Sequence, residues 1–388
     1  MISRRTILTT GAASVVVLGA SYLSVNLSDK EEIFLAPWGS ALKGFGDIRL
    51  NALAYAILAP SPHNRQPWQV HLHDDGVSYD LYCDLGRLLP ETDPQNRQIT
   101  IGLGAFLELY KYAAAVQGYR ADIVPFPKGE PYPILDSRPI ATVTLKEDAS
   151  AVQNPLFKYT LARRTVRQNF KKDKHVSQHD LDELFRTAKL SNQTSFATTI
   201  ELAKMERLKD MCRRGWGIET STLATHHEST ALTRIGAKEV RQNPDGISLL
   251  GPMMEMYKAL GIMNRDKMNM SGSAAFDGTV SFYNKLIDSA AAFGWLSTPS
   301  NTRIDQLQAG ADWVRLNLAA TKLGIAMHPL SHILQEFTEM DDLYTEFHQE
   351  IGIGAPARVQ GLFRFGYADT PKASPRWPLE TRLLKFEL

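Results

Sequence analysis

The stretch APSPHNRQPW, residues 59–68, follows an apolar segment, IRLNALAYAILA, whose periodicity predicts a helix beginning at Ile48. Pro60 disfavours the helical conformation in the residue before it, so we expect the helix to end there. The prolines then fix a stiff loop that presents Ser61 and Asn64. An amide donates and accepts hydrogen bonds at once, which suits the edge of a flavin or a nucleobase. An ordinary proline-bracketed turn is the alternative interpretation.

Two later segments resemble each other and indicate that the chain contains two related halves. IGLGAFLELYKYAAAVQGY and QAGADWVRLNLAATKLGIAM both have the pattern of a helix, and the first is apolar on nearly all sides. When Gly104 is aligned with Gly310, several alanines coincide, as do Gly118 and Gly324. A helix that is apolar all round must be buried, and a final glycine suits a helix C-cap. Buried helices often look alike, so a chance resemblance is the alternative to duplication.

Composition limits the classes of function. The chain has 388 residues and 44% hydrophobic content, which is enough for a large core and more than one ordinary domain. Lys+Arg at 43 against Asp+Glu at 42 gives a net charge of +1, so we expect no nucleic-acid partner. Cys83 and Cys212 are the two cysteines, and they lack the spacing of a zinc or redox motif. We therefore expect free thiols, although one disulfide bridge stays open as an alternative.

The N-terminus, MISRRTILTTGAASVVVLGASYLS, predicts export from the cytoplasm. Arg4 and Arg5 precede a short apolar run, which is typical of a twin-arginine signal. The run is shorter than the ~20 residues of a comfortable membrane span. No clear cleavage triplet follows, so residues 1–33 are either a signal or a membrane tether. We expect the Tat export machinery as a partner and the periplasm as the location. A fortuitous Arg-Arg pair before a weak anchor helix is the alternative.

The segment LARRTVRQNF, residues 161–170, predicts an anion site. It holds Arg163, Arg164 and Arg167 around the hydroxyl of Thr165. Guanidinium groups bind phosphate oxygens in bidentate geometry, and a hydroxyl adds one more donor. A solvated basic face is the alternative interpretation. We call residues 161–170 the arginine segment and residues 59–67 the proline-serine loop.

Four segments in combination resemble the nitroreductase superfamily. APSPHNRQPW resembles its APSxxNxQPW loop, and ARRTVRQNF resembles its RRSxRxF segment. GADWVRLNLAATKLGIAMHPLS resembles its GAxxxNLxLAAxxLGL helix and the strand after it, and FRFGYADTPKASPRWPLE resembles its closing GYxxxxPxxRxPLE stretch. These matches extend over most of the chain beyond residue 45. The export signal, the length and the paired halves are most similar to the Acg-like branch, whose members hold FMN.

This resemblance implies an α+β fold of two fused nitroreductase-like halves, with mainly antiparallel sheets wrapped by helices. Residues 34–150 would form the first half and residues 151–388 the second, giving a monomer with an internal pseudo-two-fold axis. One FMN would lie between the halves, held by residues from both. The implied contacts are Arg163, Arg164, Thr165, Arg167 and Arg376 toward the phosphate and ribityl group, Pro60, Ser61, Asn64 and Gln66 toward the ring, and Pro329, Leu330 and Ser331 near its reactive edge.

The second half contains a predicted insertion at about residues 202–307. Six of the eleven methionines fall between Met253 and Met270, and methionine is a flexible gap filler. The resemblance implies that this segment is a helical lid over the flavin. A copper site lined by the methionines is the more specific alternative. His328 and His332 have the spacing of a metal pair, but no third ligand is evident and we predict no metal.

The function implied is an FMN-binding oxidoreductase that passes a hydride or electrons to an unidentified small electrophile or quinone. Ser331 and His332 stand where many members of the family have an acidic residue and a glycine, so we name no catalytic residue. NAD(P)H is scarce outside the cytoplasm, which favours a quinol, a partner protein or an exported small molecule as electron donor. The alternative function is storage or sequestration of FMN without turnover.

Overall fold

The computed structural model describes residues 33–384, so the predicted export signal lies outside the described residues except for its last position. The helices in this part of the chain are α1 Ala36–Ser40, α2 Ile48–Ala56, α3 Arg97–Val116, α4 Gln178–Ala188, α5 Leu202–Ser221, α6 Leu223–Ala231, α7 Gly236–Gln242, α8 Pro252–Ala259, α9 Arg265–Met268, α10 Ala274–Asp288, α11 Arg303–Leu323 and α12 Asp341–Glu350. The strands are β1 Trp68–Leu72, β2 Ser78–Cys83, β3 Tyr119–Pro125, β4 Ala141–Glu147, β5 Ser195–Thr199, β6 Thr233–Ile235, β7 Ile247–Leu249, β8 Ala292–Thr298, β9 Ala326–Pro329 and β10 Arg358–Gly366.

Two four-stranded antiparallel sheets share one topology. The first has the strand order β1-β2-β4-β3 and the second has the order β5-β8-β10-β9. Numbered within its own half, each sheet therefore runs first, second, fourth, third. A long central helix joins the second strand to the third in both halves, α3 in one and α11 in the other. The predicted α+β fold of two fused, mainly antiparallel halves is confirmed.

The two central helices cross at the aligned glycines. A Cβ atom on Gly104 would lie 2.0 Å from the carbonyl oxygen of Leu307, and one on Gly310 would lie 1.9 Å from that of Ile101. Adding 206 to 101 and to 104 gives 307 and 310, so each contact becomes the other when the halves are exchanged. This exchange is the signature of a two-fold relation between helices. Only glycine lets the two backbones approach this closely.

Helix α3 is buried, as its sequence predicts. By length and composition alone it could cross a membrane, yet 89% of its most apolar window is buried inside the molecule. Its Phe106 packs on Trp68 of β1 with ring centroids 5.3 Å apart. The burial arises because α3 lies between its own sheet and α11, and among its residues only Lys111 and Val116 are exposed.

The insertion occupies residues 200–291, between β5 and β8. The bounds predicted from the sequence, 202–307, also include β8 and the start of α11. Every residue of β8 is buried, so the strand lacks the alternation that separates a strand from a buried helix. Within the insertion, Met268 packs with Ile235 and Ala275 in a small core of its own, with Met263 against it.

Candidate cofactor site between the halves

The proline-serine loop has an unusual backbone. His63, Asn64 and Gln66 adopt φ values of 44°, 51° and 50°. Positive φ is uncommon for residues other than glycine and is kept only where the surroundings impose it. Part of that restraint is local, because the Ser61 hydroxyl accepts a hydrogen bond from the backbone N–H of Gln66 at 3.0 Å. The loop is therefore held in one shape rather than left as a free turn.

Two amides of this loop bind the C-terminal segment. Asn64 donates through Nδ2 to the Pro375 carbonyl at 3.1 Å, and Gln66 Oε1 accepts from the backbone of Trp377 at 2.9 Å. Gln66 Nε2 also donates to the Pro244 carbonyl of the insertion at 2.7 Å. Both side chains thus have protein partners in the structure, and their contact with the ring stays a prediction.

Arg376 binds the backbone carbonyl groups that follow α2. Its Nε donates to the Ile57 carbonyl, and its Nη2 donates to the carbonyls of Leu58 and Ala59 at 3.1 and 3.0 Å. Nη1 donates to Asn64 Oδ1 at 2.7 Å and to the carbonyl of Pro375. A guanidinium has five N–H groups, and all five are occupied here. In the structure Arg376 therefore binds protein acceptors alone, and its contact with the phosphate stays a prediction.

Arg163, unlike Arg376, has donor groups without a protein partner. It is 2% exposed, and it donates to Asn317 Oδ1 at 2.8 Å and to the Leu58 carbonyl at 2.9 Å. Its Nε is buried without a partner. Burial first, and then the charge of Arg164, lower the pKa of Arg163 to about 9. A buried cation with unpaired donors fits an anion that arrives from outside the chain.

Arg164 is largely engaged by the protein. Its guanidinium lies 4.9 Å from the ring of Trp38. It donates hydrogen bonds to the carbonyls of Leu161, Arg163 and Pro371. This guanidinium therefore braces the arginine segment against neighbouring backbone.

Arg167 is held near the end of β9. The backbone N–H of Val166 donates to the carbonyl of Met327 at 3.1 Å, which fixes the arginine segment beside that strand. Arg364 supports the segment, since its Nη2 donates to the carbonyls of Val166 and Gln168. Arg167 itself is half-buried and has no hydrogen bond or ion pair with the described residues. It is a second cation without a counter-charge.

Three histidines gather around Arg167. Burial first, and then the charge of Arg167, lower the pKa of His63 to about 4. The pKa of His332 falls to about 3 through burial, followed by His63 and Arg167. The pKa of His328 also lies well below its ordinary value, because it is buried and because Arg364 donates to its Nδ1 at 2.9 Å. These rings are neutral at pH 7, and His63 comes from the first half whereas Arg167 comes from the second.

The insertion covers this cluster with aromatic rings. Trp216 of α5 and Tyr283 of α10 meet the ring of His332 edge-on, at centroid distances of 4.9 and 4.5 Å. The two cover rings stack on each other at 4.7 Å. We call α5, α6 and α10 the cover. A lid over the cofactor stays a prediction, and the cover holds the helices that would form it. Met263 and Met268 of the methionine-rich segment pack in the separate small core.

A buried carboxyl group adjoins the cluster. Glu219 of α5 is 2% exposed, and burial raises its pKa to about 7. The Ser229 hydroxyl donates to Glu219 Oε1 at 2.9 Å, and Gln335 Nε2 donates to Oε2 at 2.8 Å. The same Ser229 oxygen lies 3.3 Å from His63 Nε2. A hydrogen-bonded path thus runs from Glu219 through Ser229 to a residue of the proline-serine loop.

The remaining predicted residues border the same region. Pro329 ends β9, and Leu330 and Ser331 follow it. Leu330 is buried, and its N–H donates to the carbonyl of Leu362 at 2.8 Å. Thr165 and Ser331 are half-buried. Their hydroxyls have no hydrogen bond to the rest of the described chain. Pro60 is half-buried at the start of the loop.

Sequence reasoning missed the cover residues and the role of His63. Glu219, Ser229 and Tyr283 lie in the insertion, where no motif marks them. His63 lies in the stretch 59–68, between Pro62 and Pro67. A titratable ring in a proline-rich loop could have marked it as a candidate site residue. The contact between them depends on how the insertion folds back over the first half, which no local pattern encodes.

A surface cavity elsewhere is a poor alternative site. It has a volume of about 640 Å³ and lies between α5 and α12. Its lining includes Glu206, Asp210, Glu346 and Glu350 beside a single arginine. This acidic lining would repel a phosphate, so the junction of the halves is the better candidate for an anionic cofactor.

Comparison of the sequence with known proteins gives a family match and related proteins. Residues 160–367 match the model of the Nitroreductase family. A protein of Mycobacterium tuberculosis H37Rv, whose name assigns it provisionally as the NAD(P)H nitroreductase acg, is 27% identical over 351 residues, which are 86% of this chain and 94% of that protein.

Two solved nitroreductases also align. The FMN-dependent nitroreductase NfnB of Mycobacterium smegmatis, in complex with NADPH, has 21% identity and a TM-score of 0.35, covering 58% of this chain and 95% of that one. The FMN and NADPH-dependent nitroreductase NfnB of a sphigopyxis strain has 14% identity and a TM-score of 0.38, covering 60% of this chain and 99% of that one. Since the family match spans more than half of the sequence, the chain belongs to the nitroreductase family.

Proposed function

We propose that this protein is an oxidoreductase that binds one FMN between its two halves. The observation that carries the proposal is the pair of cations without counter-charge, Arg163 and Arg167, at the junction where His63 of the other half lies. The family match and the FMN named for the solved nitroreductases support the same cofactor. Bound FMN would supply the hydride or electron chemistry, which the protein tunes by position and electrostatics.

The residues of the junction would divide the work of binding. Arg163 and Arg167 would hold the phosphate and ribityl side, with the Thr165 hydroxyl as a further donor. Arg376 would act on the cofactor indirectly, because it binds the carbonyl groups just before and at the start of the proline-serine loop and so positions the loop. The cover would exclude water, because Trp216 and Tyr283 close over His332.

Glu219, Ser229 and His63 would move a proton to the site. In one arrangement Ser229 donates to Glu219 and His63 carries its proton on Nε2, leaving the buried Nδ1 as an acceptor. If Glu219 is protonated, the direction reverses and His63 presents a proton on Nδ1. A carboxyl group whose pKa is about 7 populates both arrangements at neutral pH. This path gives the site a proton source that the sequence interpretation did not include.

The first experiment compares FMN affinity in apoprotein carrying Arg167→Ala with the unmodified protein. We expect affinity to fall roughly 10- to 150-fold, because losing one charge-assisted hydrogen bond costs about 1.5–3 kcal/mol. The fold should be unaffected, since Arg167 has no partner among the described residues. Arg186→Ala is the matched control, because that arginine is exposed and pairs only with Glu183. Unchanged affinity in Arg167→Ala, or no flavin binding by the unmodified protein, would refute the assignment.

Storage or sequestration of FMN is the second candidate, favoured by the cover over His332. To separate the two, the bound flavin is reduced anaerobically with dithionite and then offered nitroaromatics and quinones. Prompt reoxidation supports an oxidoreductase, whereas none across a broad panel supports storage. If the protein stores FMN, the double variant Trp216→Ala and Tyr283→Ala should show turnover. The reason is that removing both rings opens the cover to substrates.

Location and electron donor belong to the same proposal. We place the protein in the periplasm, with residues 1–33 as either a signal or a membrane tether, because of Arg4, Arg5 and the apolar run. The relatives are named for NAD(P)H or NADPH, whereas a periplasmic protein would meet quinols or a partner protein instead. Fractionation of cells, with and without Arg4→Lys and Arg5→Lys together, tests the location. Reduction by NADPH and by a quinol, measured side by side, then tests the donor.

A further inference from the structure

A set of metal-ligand side chains lies on the first sheet, away from the cofactor site. His71 and His73 are two apart on β1 and its continuation, so they point to the same side of the strand. The alternate residues Trp68 and Val70 are fully buried in the core, which puts both histidines on the opposite face. Asp80 of β2 is the cross-strand partner of His71. The three side chains therefore meet on one half-exposed patch.

The donor atoms are already close to a coordination geometry. One donor atom from each residue lies within 4.8 Å of the other two. His73 Nε2 and Asp80 Oδ2 are 3.2 Å apart. Two ligands bound at about 2.0–2.1 Å in a tetrahedron lie roughly 3.3 Å from each other, so this pair fits without rearrangement. For all three to bind one ion, the His71 donor must also come within roughly 3.3 Å of the other two.

A neighbouring strand orients the carboxylate. The Thr142 hydroxyl of β4 donates to Asp80 Oδ1 at 2.5 Å. This bond holds Oδ1, whereas Oδ2 is the oxygen that lies 3.2 Å from His73 Nε2. Hydrogen bonds to the far atom of a ligand are a regular feature of metal sites, because they fix the ligand before the ion arrives.

We propose that His71, His73 and Asp80 form a binding site for a late first-row divalent cation of the zinc class. Two imidazoles and one carboxylate form a borderline donor set that suits Zn²⁺ and disfavours Mg²⁺ and Ca²⁺, which take oxygen ligands. Three protein ligands leave at least one coordination position for water. The proposal does not depend on FMN binding, since none of these residues borders the cofactor site.

The test is a Zn²⁺ titration by calorimetry of EDTA-treated full-length protein without an affinity tag. We expect one site of micromolar affinity, and a loss of at least tenfold in His73→Ala and in Asp80→Asn. Asp80→Asn keeps an oxygen for Thr142, so the sheet should stay intact. Co²⁺ gives a second readout, because tetrahedral coordination produces visible absorption that both variants should lose.

His179→Ala is the matched control, as that histidine is exposed on α4 and remote from the set. It should leave the affinity unchanged. Zn²⁺ binding that survives His73→Ala, or no binding above that of a non-specific surface, would overturn the proposal. In that case the His73–Asp80 contact is an ordinary cross-strand ion pair. Thermal unfolding without metal confirms that each variant is folded before it is titrated.

Discussion

The two halves share a framework but differ in the connections that surround the candidate site. Their sheets have the same strand order, and their central helices meet at equivalent glycines. Between the first and second strand, however, the first half has residues 73–77 and the second has residues 200–291. The framework thus preserves what packing requires, while the connections between its elements carry what binding requires.

The turn before the first strand shows the same contrast on a smaller scale. In the second half, residues 189–194 form a short turn whose Ser191 and Thr194 donate to the Asp312 carboxylate of α11. In the first half, the equivalent loop has three residues at positive φ and is fastened by Arg376. The second-half turn is bound by a residue of its own half. The first-half loop is bound by Arg376, which is more than three hundred positions away along the chain. The difference is that the second turn is held by a helix of its own half, whereas the first also depends on the C-terminal segment.

The largest expected effect tests whether the halves are equivalent in packing. Gly310→Val and Gly104→Val each force a side chain into a carbonyl group of the facing helix. We expect either change to cost more than ~3 kcal/mol of unfolding free energy, or to prevent folding, because the backbones must separate. Chemical denaturation with circular dichroism measures this cost.

Gly217→Ala in α5 is the control for these glycine variants. A Cβ atom there meets nothing within 4 Å, so the change should be neutral or stabilise the helix by about 0.5–1 kcal/mol. If Gly104→Val were tolerated and Gly310→Val were not, the two-fold equivalence of the crossing would fail.

The next effect tests whether the two turns depend on different supports. Arg376→Ala removes five hydrogen bonds and leaves the carbonyls of Ile57 and Ala59 without this donor, while the Leu58 carbonyl keeps its bond from Arg163. We expect a loss of about 3 kcal/mol or more. Hydrogen exchange should rise in residues 57–67 and stay constant in residues 189–194, which serve as the internal control. Equal rises in both turns would mean that Arg376 supports the whole fold rather than one loop.

A smaller effect concerns the insertion that only the second half has. The folded-state pKa of Glu219, about 7, is above the ordinary value of 4.5, so folding takes up a proton between these limits. Stability should therefore be fully present below pH 4.5 and decrease as pH rises to 7, by about 3 kcal/mol at most. Glu219→Gln removes this titration, so its stability relative to the unmodified protein should improve progressively across that window.

Denaturation midpoints measured from pH 4.5 to 8 check this difference. Burial also raises the pKa of Asp93 to about 7, but that group titrates in both proteins and cancels in the comparison. The Gln335 amide can rotate to accept from the new side chain, since its Oε1 is unpaired. A constant difference between the two proteins over the whole range would show that Glu219 has no raised pKa.

The smallest effect tests the link between insertion and loop. Ser229→Ala breaks the hydrogen bonds to Glu219 Oε1 and to His63 Nε2 and should cost about 0.5–1.5 kcal/mol. The imidazole nitrogen shifts of His63 should change in NMR spectra of labelled protein, because the tautomer is no longer imposed. Thr222→Ala in the same insertion is the control and should leave those shifts in place. Unaltered His63 shifts in Ser229→Ala would exclude the proton path.

The sequence by itself determined the duplicated framework, because Gly104 and Gly310 and the apolar periodicity around them are local features of the chain. It also marked the arginine segment and the proline-serine loop, since fixed residue types in close spacing carry that information. The tertiary structure decided which guanidinium groups stay free. Arg376 and Arg167 look alike in sequence, yet one has five protein acceptors and the other has none among the described residues. Whether a donor is satisfied depends on acceptors brought from distant segments by folding, and no pattern along the chain records them.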